Sequence, residues 1–221
     1  MANVTMKDFL QNPMGKFSSA GARRSDIIFN LEYRFKIILA VVKTINYKVF
    51  YNVQNEDYYL YFKIPSEKYN DLFYDVIIRF SLNPDSNKSR LSTYSIQVFS
   101  NSPNFLFTYA YVYNDADILI PFMKNKISKK ALNEPPKIKN PKEEFGFEKS
   151  IYFALLYMKW NKLDLISNLK NNRLDYNLLN KFIDKIPNTE LKLKQYNQAK
   201  KLKAANKKKR IKKSTPIKKN F

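Results

Sequence analysis

Cysteine and histidine are both absent from the 221 residues of the sequence. Their absence excludes a disulfide, a cysteine nucleophile, a Ser-His-Asp triad and a zinc site of the usual ligand type. A Mg²⁺ site built from carboxylates alone is the metal chemistry that remains. General acid–base catalysis would then need a carboxylate with a strongly shifted pKa, and no pattern indicates one. We therefore expect no cofactor, no bound metal and no enzymatic activity.

Glycine is scarce, with three residues in the whole chain. Phosphate-binding loops need several positions without a Cβ, so that the backbone can approach the ligand closely. Gly15-Lys16 is the one pattern that suggests such a loop. However, no Ser or Thr follows the lysine, and no glycine stands five positions before Gly15. The sequence thus argues against a nucleotide-binding P-loop.

Long hydrophobic runs are missing as well. The longest, near residues 37–42, is too short to span a bilayer. The first residues include Lys7 and Asp8 and do not resemble a signal peptide. We therefore expect no membrane partner, and a protein that is kept inside the cell that makes it or is packed into a particle.

Acidic residues are missing from one end of the chain. Residues 1–121 carry 13 Lys and Arg against 11 Asp and Glu, a net charge of +2. Residues 122–221 carry 27 against 8, a net charge of +19, and the last thirty residues hold 13 basic side chains and no acid. A codon bias toward lysine would act on both halves alike, so it does not explain this asymmetry.

The acid-free segment is the strongest functional signal, because such a run repels itself until a polyanion or counterions neutralise it. Lysine outnumbers arginine by 33 to 7, which favours sequence-independent phosphate contact over base readout. A solvated tail and a membrane-surface patch are the alternatives, although the flanking helix lacks the Trp and Phe of an interfacial helix. The predicted nucleic-acid-binding residues are Lys200, Lys201, Lys203, Lys207, Lys208, Lys209, Arg210, Lys212, Lys213, Lys218 and Lys219.

Hydrophobic residues make up 44% of the chain, enough for a folded core. A helix over 25–45, capped by Ser25, precedes a region with period-two alternation. That alternation predicts an antiparallel meander of about five strands, covered on one side by the helix. The aromatic residues of the fifth strand are expected in the core or an interface, with base stacking as the alternative. The predicted strands are 47–53, 58–64, 72–82, 91–100 and 105–113, and those aromatic residues are Phe105, Phe107, Tyr109, Tyr111 and Tyr113.

The predicted fold class is α+β, with an N-terminal arm and helix on a roughly five-stranded antiparallel sheet, followed by a C-terminal helical region. Residues 151–160 are apolar almost all round, which indicates a helix buried in the core or in a subunit interface. Helices over 163–169 and 174–186 are a weak match to a helix-turn-helix. The expected boundaries are an extended arm 1–24, a core domain 25–122, a Pro/Lys linker 123–146, a helical region 147–187 and a basic helix and tail 188–221. The expected interface residues are Arg23, Arg24, Tyr157 and Trp160.

One enzymatic alternative is a metal-dependent nuclease, which needs clustered carboxylates and a lysine near the reacting phosphate. Asp75, Asp85, Glu190 and Lys192 are the candidates, but their spacing is poor and each acid is better explained as a solvated residue.

The N-terminal 80 residues resemble small virion proteins of AT-rich tailed bacteriophages. The segments that carry the resemblance are 6–16, 24–28, 33–35, 64–67 and 73–76. The resemblance implies a structural role in the head, neck or tail, within an oligomeric assembly of other virion subunits. The basic end would then face packaged DNA or an acidic neighbouring subunit, in a virion assembled in the host cytoplasm. The alternative is a free, sequence-independent DNA- or RNA-binding protein of the host cytoplasm.

Overall fold

The computed structural model describes residues 4–11, 24–69, 71–136 and 148–214, without the side chains of residues 24, 25, 27 and 208–214. Within those residues, five strands form one mixed, mostly antiparallel sheet in the order β4-β3-β2-β1-β5. The α+β class is therefore confirmed. The strands are β1 (Asn46–Asn52), β2 (Asp57–Pro65), β3 (Phe73–Ser81), β4 (Ser95–Ser100) and β5 (Arg173–Asp175).

Helices surround this sheet. The α-helices are α1 (Met6–Gln11), α2 (Arg24–Val42), α3 (Ala110–Asp115), α4 (Lys129–Asn133), α5 (Lys149–Trp160), α6 (Ile166–Leu169), α7 (Asn177–Ile183) and α8 (Thr189–Ser214). A π-helix covers Phe105–Tyr109, and 3-10 helices cover Leu91–Thr93, Pro121–Lys126 and Lys170–Asn172.

The first four predicted strands are confirmed as an antiparallel meander. β1 and β2 form a hairpin in which Asn52 pairs with Asp57, and the Asn52 side-chain oxygen accepts a hydrogen bond from the Gln54 backbone N–H at 3.0 Å. β3 pairs with β2 and with β4, also antiparallel. The predicted strand bounds succeeded here because short apolar segments are separated by polar turn residues.

The expectation that the sheet is covered on one side alone is wrong, since eight of the nine residues of β2 are buried. On one face, Phe62 contacts Tyr157 of α5 at a ring distance of 6.3 Å. On the other, Tyr61 contacts Phe182 of α7 at 4.6 Å, and Tyr59 lies 5.8 Å from Phe122. Helices thus cover both faces, which explains why the central strands are apolar in nearly every position.

The helix that lies across the first face is α5, rather than the predicted first helix. α5 contacts β2, β3 and β4 directly. α2 packs on α5 through Phe35, whose ring stacks on Phe153 at 4.8 Å and on Trp160 at 5.4 Å. α2 ends before Lys43, which has a left-handed φ of 62° and turns the chain into β1.

The fifth predicted strand, 105–113, is wrong. This segment is helical, beginning with the π-helix and continuing into α3. Phe105, Tyr109 and Tyr113 are buried, whereas Phe107 is half exposed. Side chains four residues apart lie on the same face of a strand, which has a period of two, and on the same face of a helix, which has a period of 3.6. The spacing of the buried residues Phe105, Tyr109 and Tyr113 therefore fits both structures.

The fifth strand of the sheet comes from the C-terminal half. β5 pairs parallel to β1, with Phe50 opposite Leu174. Leu174 was predicted in a helix that actually begins at Asn177, and α6 has only four residues. Because a strand stands between these two short helices, the helix-turn-helix interpretation is also wrong.

Parts of the chain predicted to be extended are folded. In the predicted linker, Met123 and Ile127 are buried, and Ser128 caps α4 by accepting a hydrogen bond from the Ala131 N–H. In the predicted arm, α1 buries Met6 and Phe9 in the same core. The remaining parts of these two segments, 1–3, 12–23 and 137–146, lie outside the described residues.

A buried carboxylate begins α5. Glu148 accepts hydrogen bonds from the Ser102 hydroxyl at 2.9 Å, from the Ile151 N–H at 3.1 Å and from the Ser150 hydroxyl. Replacing Glu148 with alanine leaves three buried donors without this acceptor, so we expect the free energy of unfolding to fall by about 2–3 kcal/mol. Urea denaturation checks this value. Lys159→Ala, at an exposed position of the same helix, is the control and should change it by less than about 0.5 kcal/mol. Equal effects of the two substitutions would contradict the capping role.

Candidate nucleic-acid interface

The predicted basic helix is observed as α8. α8 has 26 residues and continues to Ser214, so it is about 39 Å long. Asn188 caps its first turn, because the Asn188 side-chain oxygen accepts a hydrogen bond from the Leu191 N–H at 2.8 Å. Pro187 directly precedes this cap and separates α8 from the end of α7.

An ion pair anchors the first turn of α8 to the sheet. The Lys192 Nζ lies 3.7 Å from the Asp75 Oδ2, and both side chains are only 8% exposed. The Lys192 Nζ also donates a hydrogen bond of 2.9 Å to the Phe73 carbonyl oxygen. Asp75 in turn accepts hydrogen bonds from the Tyr61 hydroxyl and the Asn101 side-chain amide, both at 2.7 Å. The buried charges are therefore paired and well hydrogen-bonded.

Burial has the largest effect on the pKa values of Lys192 and Tyr61 in this anchor. Loss of solvation lowers the pKa of Lys192, and the nearby Asp75 carboxylate partly offsets that decrease. Burial also raises the pKa of Tyr61 well above its usual value, and the Asp75 charge raises it further. The anchor thus combines the Lys192–Asp75 ion pair with the hydrogen bond from the Tyr61 hydroxyl in one buried cluster.

Three further contacts hold the middle of α8 on the loop between β2 and β3. The rings of Tyr196 and Tyr69 meet edge to face at 5.3 Å. The Lys203 Nζ donates a hydrogen bond of 2.8 Å to the Lys68 carbonyl oxygen and lies 5.7 Å from the Tyr69 ring centre. Beside these contacts is a cleft of about 790 Å³. Lys68, Lys203 and Lys207 line it together with one acid, Asp71.

Beyond Lys203 the described side chains of α8, at 204–207, are exposed. Leu193, Tyr196 and Ala199 of the predicted apolar stripe are partly buried, whereas Leu202 and Ala205 are exposed. The backbone of residues 204–214 remains helical over about 16 Å. α8 is therefore anchored through its first turns, and its described side chains beyond Lys203 are exposed to solvent.

The predicted nucleic-acid-binding residues fall into three groups. Lys200, Lys201, Lys203 and Lys207 are exposed on α8, although Lys203 also has the anchoring role described above. Lys208, Lys209, Arg210, Lys212 and Lys213 lie on the helical backbone, with side chains outside the described residues. Lys218 and Lys219 lie outside the described residues altogether.

The predicted interface residues are placed differently. Tyr157 is buried against Tyr47 and Phe62 of this same chain, and Trp160 stacks on Phe35. The intramolecular core is the environment observed for Tyr157, whereas Trp160 is only partly buried, and its place in a subunit interface stays a prediction. Arg23 and the side chain of Arg24 lie outside the described residues.

The nuclease candidates do not form a cluster. Asp75 and Lys192 meet as the buried anchor, whereas Asp85 is exposed in a turn and Glu190 is exposed in the first turn of α8. Among the described residues, no group of three or more acidic side chains is placed to hold a metal ion. The anchor could not be predicted from the sequence, because Asp75 and Lys192 are far apart along the chain.

Two further observations complete the description. Within the residues that the structure describes, no helix is both long enough and apolar enough to cross a membrane. No protein-family model, curated protein or solved structure matches this chain significantly.

Proposed function

We propose that this chain is a non-enzymatic structural protein of a phage virion, in the head, neck or tail. The basic end of α8 contacts packaged DNA or an acidic neighbouring subunit, without a cofactor and without sequence preference. The observation that carries this proposal is the anchored α8, whose described side chains beyond Lys203 are exposed. The resemblance of the N-terminal 80 residues to virion proteins supports the virion location, and assembly takes place in the host cytoplasm.

The anchor supports a binding role over a purely solubilising one. A solubilising tail needs no fixed position, whereas α8 is held by a buried ion pair and by an aromatic contact. An anchored helix presents its lysines along one direction from the body, so less conformational entropy is lost when they meet a row of phosphates. Each Lys–phosphate contact releases a counterion, which gives affinity without base recognition.

Substitution of four basic residues beyond the anchor tests this proposal. Replacing Lys207, Lys208, Lys209 and Arg210 together with glutamine removes four positive charges and none of the described anchoring contacts. Binding to a labelled 30-base-pair DNA is measured by fluorescence anisotropy at several salt concentrations. We expect the log–log salt slope to become shallower by about 4, with an affinity loss of about 100-fold at low salt.

A matched control variant removes four positive charges from the part of the protein outside α8. Lys43, Lys129, Lys159 and Lys170 are exposed and lie away from α8 in the sequence. Their joint replacement with glutamine should change the affinity less than about threefold and the slope by less than 1. If both sets of substitutions weaken binding equally, net charge rather than α8 accounts for the binding. Binding that differs strongly between unrelated DNA sequences would contradict phosphate-only contact.

A free nucleic-acid-binding protein of the host cytoplasm is the second candidate function. The observation that favours it is that α8 is anchored on its own chain, so its basic end is presented without a neighbouring subunit. Tight, salt-steep binding by the soluble protein, together with its absence from purified particles, would support this candidate. Weak binding together with co-sedimentation in particles would support the virion protein.

A further inference from the structure

Two clefts adjoin along one side of α8. The first is the cleft of about 790 Å³ between α8 and the loop that joins β2 to β3. The second, of about 420 Å³, lies between the end of α7, the first turns of α8 and strands β2 and β3. Asp71, Leu72 and Gln195 line both clefts, so the two form one groove, the α8 groove. It follows the helix from Lys192 to Lys207, over about 22 Å.

The lining of the α8 groove is basic. Six lysines line it against two aspartates, a net charge of +4. One lysine and one aspartate, Lys192 and Asp75, neutralise each other as the buried anchor. Five exposed lysines then share the groove with one exposed carboxylate, that of Asp71. Such a concentration of one charge repels itself until an anion enters. The five lysines are Lys63 and Lys185 in the second cleft and Lys68, Lys203 and Lys207 in the first.

The second cleft brings lysines from three different elements together. Lys63 lies opposite Asp75 in the register of β2 and β3, but the Asp75 carboxylate is already paired with Lys192. After burial, which has the largest effect, the charge of Lys63 also lowers the pKa of Lys192, so the two ammonium groups are close together. Lys185 lines the same cleft from the end of α7. Three ammonium groups therefore face this cleft with the carboxylates of Asp71 and Asp75, and the excess charge attracts an anion.

The remaining lining of the groove suits nucleotides better than a simple ion. Amide side chains bind phosphate and sugar oxygens, and apolar walls accept the faces of unpaired bases. Clefts of several hundred cubic ångströms take small ligands, so a single nucleotide fits, whereas the bases of a duplex are paired inside it and do not enter. The amide side chains are Gln195, Gln198 and Asn206, and the apolar ones are Leu72, Ala199 and Leu202.

We propose that the α8 groove binds a single-stranded segment of nucleic acid. Phosphates lie beside Lys63 and Lys185 at one end of the groove and beside Lys68 and Lys207 at the other. At about 3.4 Å per nucleotide, the groove takes up to about six nucleotides. The proposal rests on the nucleic-acid contact proposed for α8 and adds a second site to it. The basic end meets the phosphates of a duplex, and the groove holds an unpaired strand against the folded part of the protein.

Substitution of Lys63 and Lys185 tests the groove without changing the basic end. Fluorescence anisotropy measures binding of the full chain to a labelled 12-nucleotide oligo(dT) and to the 30-base-pair DNA. We expect Lys63→Gln with Lys185→Gln to weaken oligo(dT) binding about tenfold at low salt and to make its log–log salt slope shallower by about 1.4, because two phosphate contacts of a single strand are lost. Duplex affinity should change less than about threefold.

Two further variants control for charge. Lys159→Gln with Lys170→Gln removes the same charge at exposed positions outside both clefts, and it should leave both affinities within about threefold. Lys63→Arg with Lys185→Arg keeps the positive charges, so it should bind oligo(dT) as the unchanged protein does.

Substitution of Asp71 gives a test that loss of folding cannot imitate. Asp71 is exposed where the two clefts meet, so its carboxylate repels a bound phosphate chain. Asp71→Asn should strengthen oligo(dT) binding about threefold, which is the size of effect expected for one exposed charge. Asp85→Asn, in an exposed turn outside both clefts, is the matched control and should have a smaller effect. Acetylation of lysines followed by mass spectrometry locates the strand: oligo(dT) should protect Lys63 and Lys185 several-fold.

The two probes distinguish failure of the groove from failure of the proposed function. Oligo(dT) binding that is insensitive to Lys63 and Lys185, or that weakens equally with Lys159 and Lys170, overturns the groove and leaves duplex contact by the basic end intact. Duplex binding without oligo(dT) binding has the same meaning. Oligo(dT) binding without duplex binding would support the groove and overturn contact with packaged DNA. Binding of neither probe would overturn both.

Discussion

Lys192→Met is expected to lower the free energy of unfolding by about 3–5 kcal/mol. The methionine keeps most of the volume of the lysine side chain, so the cavity that it leaves is small. What remains is the Asp75 carboxylate, whose side chain is 8% exposed and has lost its ion-pair partner. The Tyr61 and Asn101 hydrogen bonds to Asp75 persist, but they do not cancel its charge. The uncompensated buried charge is the source of the large effect.

A pair of control variants separates charge from packing. Asp75→Asn combined with Lys192→Met removes both charges, so we expect most of the lost free energy to return. Lys194→Met changes an exposed lysine two residues further along α8, and it should have an effect below about 0.5 kcal/mol.

Urea denaturation gives the free energies, and hydrogen exchange over 189–203 shows whether α8 has left the sheet. If Lys192→Met is no more destabilising than Lys194→Met, the anchor does not hold α8 in place.

The protein is expected to unfold in moderately alkaline solution, because many tyrosines are buried. Burial raises the pKa of Tyr74, Tyr94 and Tyr152 to about 12. It raises the pKa of four more tyrosines further still, namely Tyr59, Tyr61, Tyr109 and Tyr113. In the unfolded chain a tyrosine has its ordinary pKa of about 10, so the folded state binds these protons more tightly.

The direction of the pH effect follows from this difference. A raised pKa in the folded state contributes stability that is fully present below pH ~10 and is lost as the pH rises through the folded value. Each pKa unit corresponds to about 1.4 kcal/mol, so seven such groups remove about 5–10 kcal/mol by pH ~11. That loss is similar to the whole stability of an ordinary domain. The lowered pKa of Lys192 acts in the opposite direction, but it is a single group.

Thermal unfolding at pH 8 and pH 11 measures this effect, and absorbance at 295 nm reports tyrosine ionisation. We expect the buried tyrosines to ionise together with unfolding rather than before it. Tyr152→Phe should make the loss of stability smaller by about 1 kcal/mol at pH 11, because it removes one of the titrating groups. Ionisation of the tyrosines at their ordinary pKa in the still-folded protein would contradict the prediction.

The sequence predicted the antiparallel meander because its signal is local. Strands β1 and β2 are apolar over lengths typical of strands, and the polar residues between them form a tight turn. The same reasoning failed for residues 105–113, where buried aromatic residues four apart fit both periodicities. It also failed for the first part of the predicted linker 123–146, where Met123 and Ile127 are buried and Ser128 caps α4.

For the candidate site, the sequence located the basic segment but missed the anchor. A run of lysines without acidic residues can be recognised directly in the sequence, because the formal charge is a property of each residue by itself. The anchor joins Lys192 to Asp75, which is 117 positions earlier, and the aromatic contact joins Tyr196 to Tyr69. No local pattern distinguishes these four residues from exposed ones of the same type.

The sequence by itself determined the α+β class, the four antiparallel strands, the basic character of the C-terminal end and the absence of cysteine and histidine chemistry. These are properties of local periodicity and composition. Only the tertiary structure decided that both faces of the sheet are covered, that β5 joins β1, that α8 is anchored at Lys192, and that two lysine-lined clefts meet beside α8. Each of these depends on which distant residues come together, because burial is defined by the partners that a side chain finds in the folded chain.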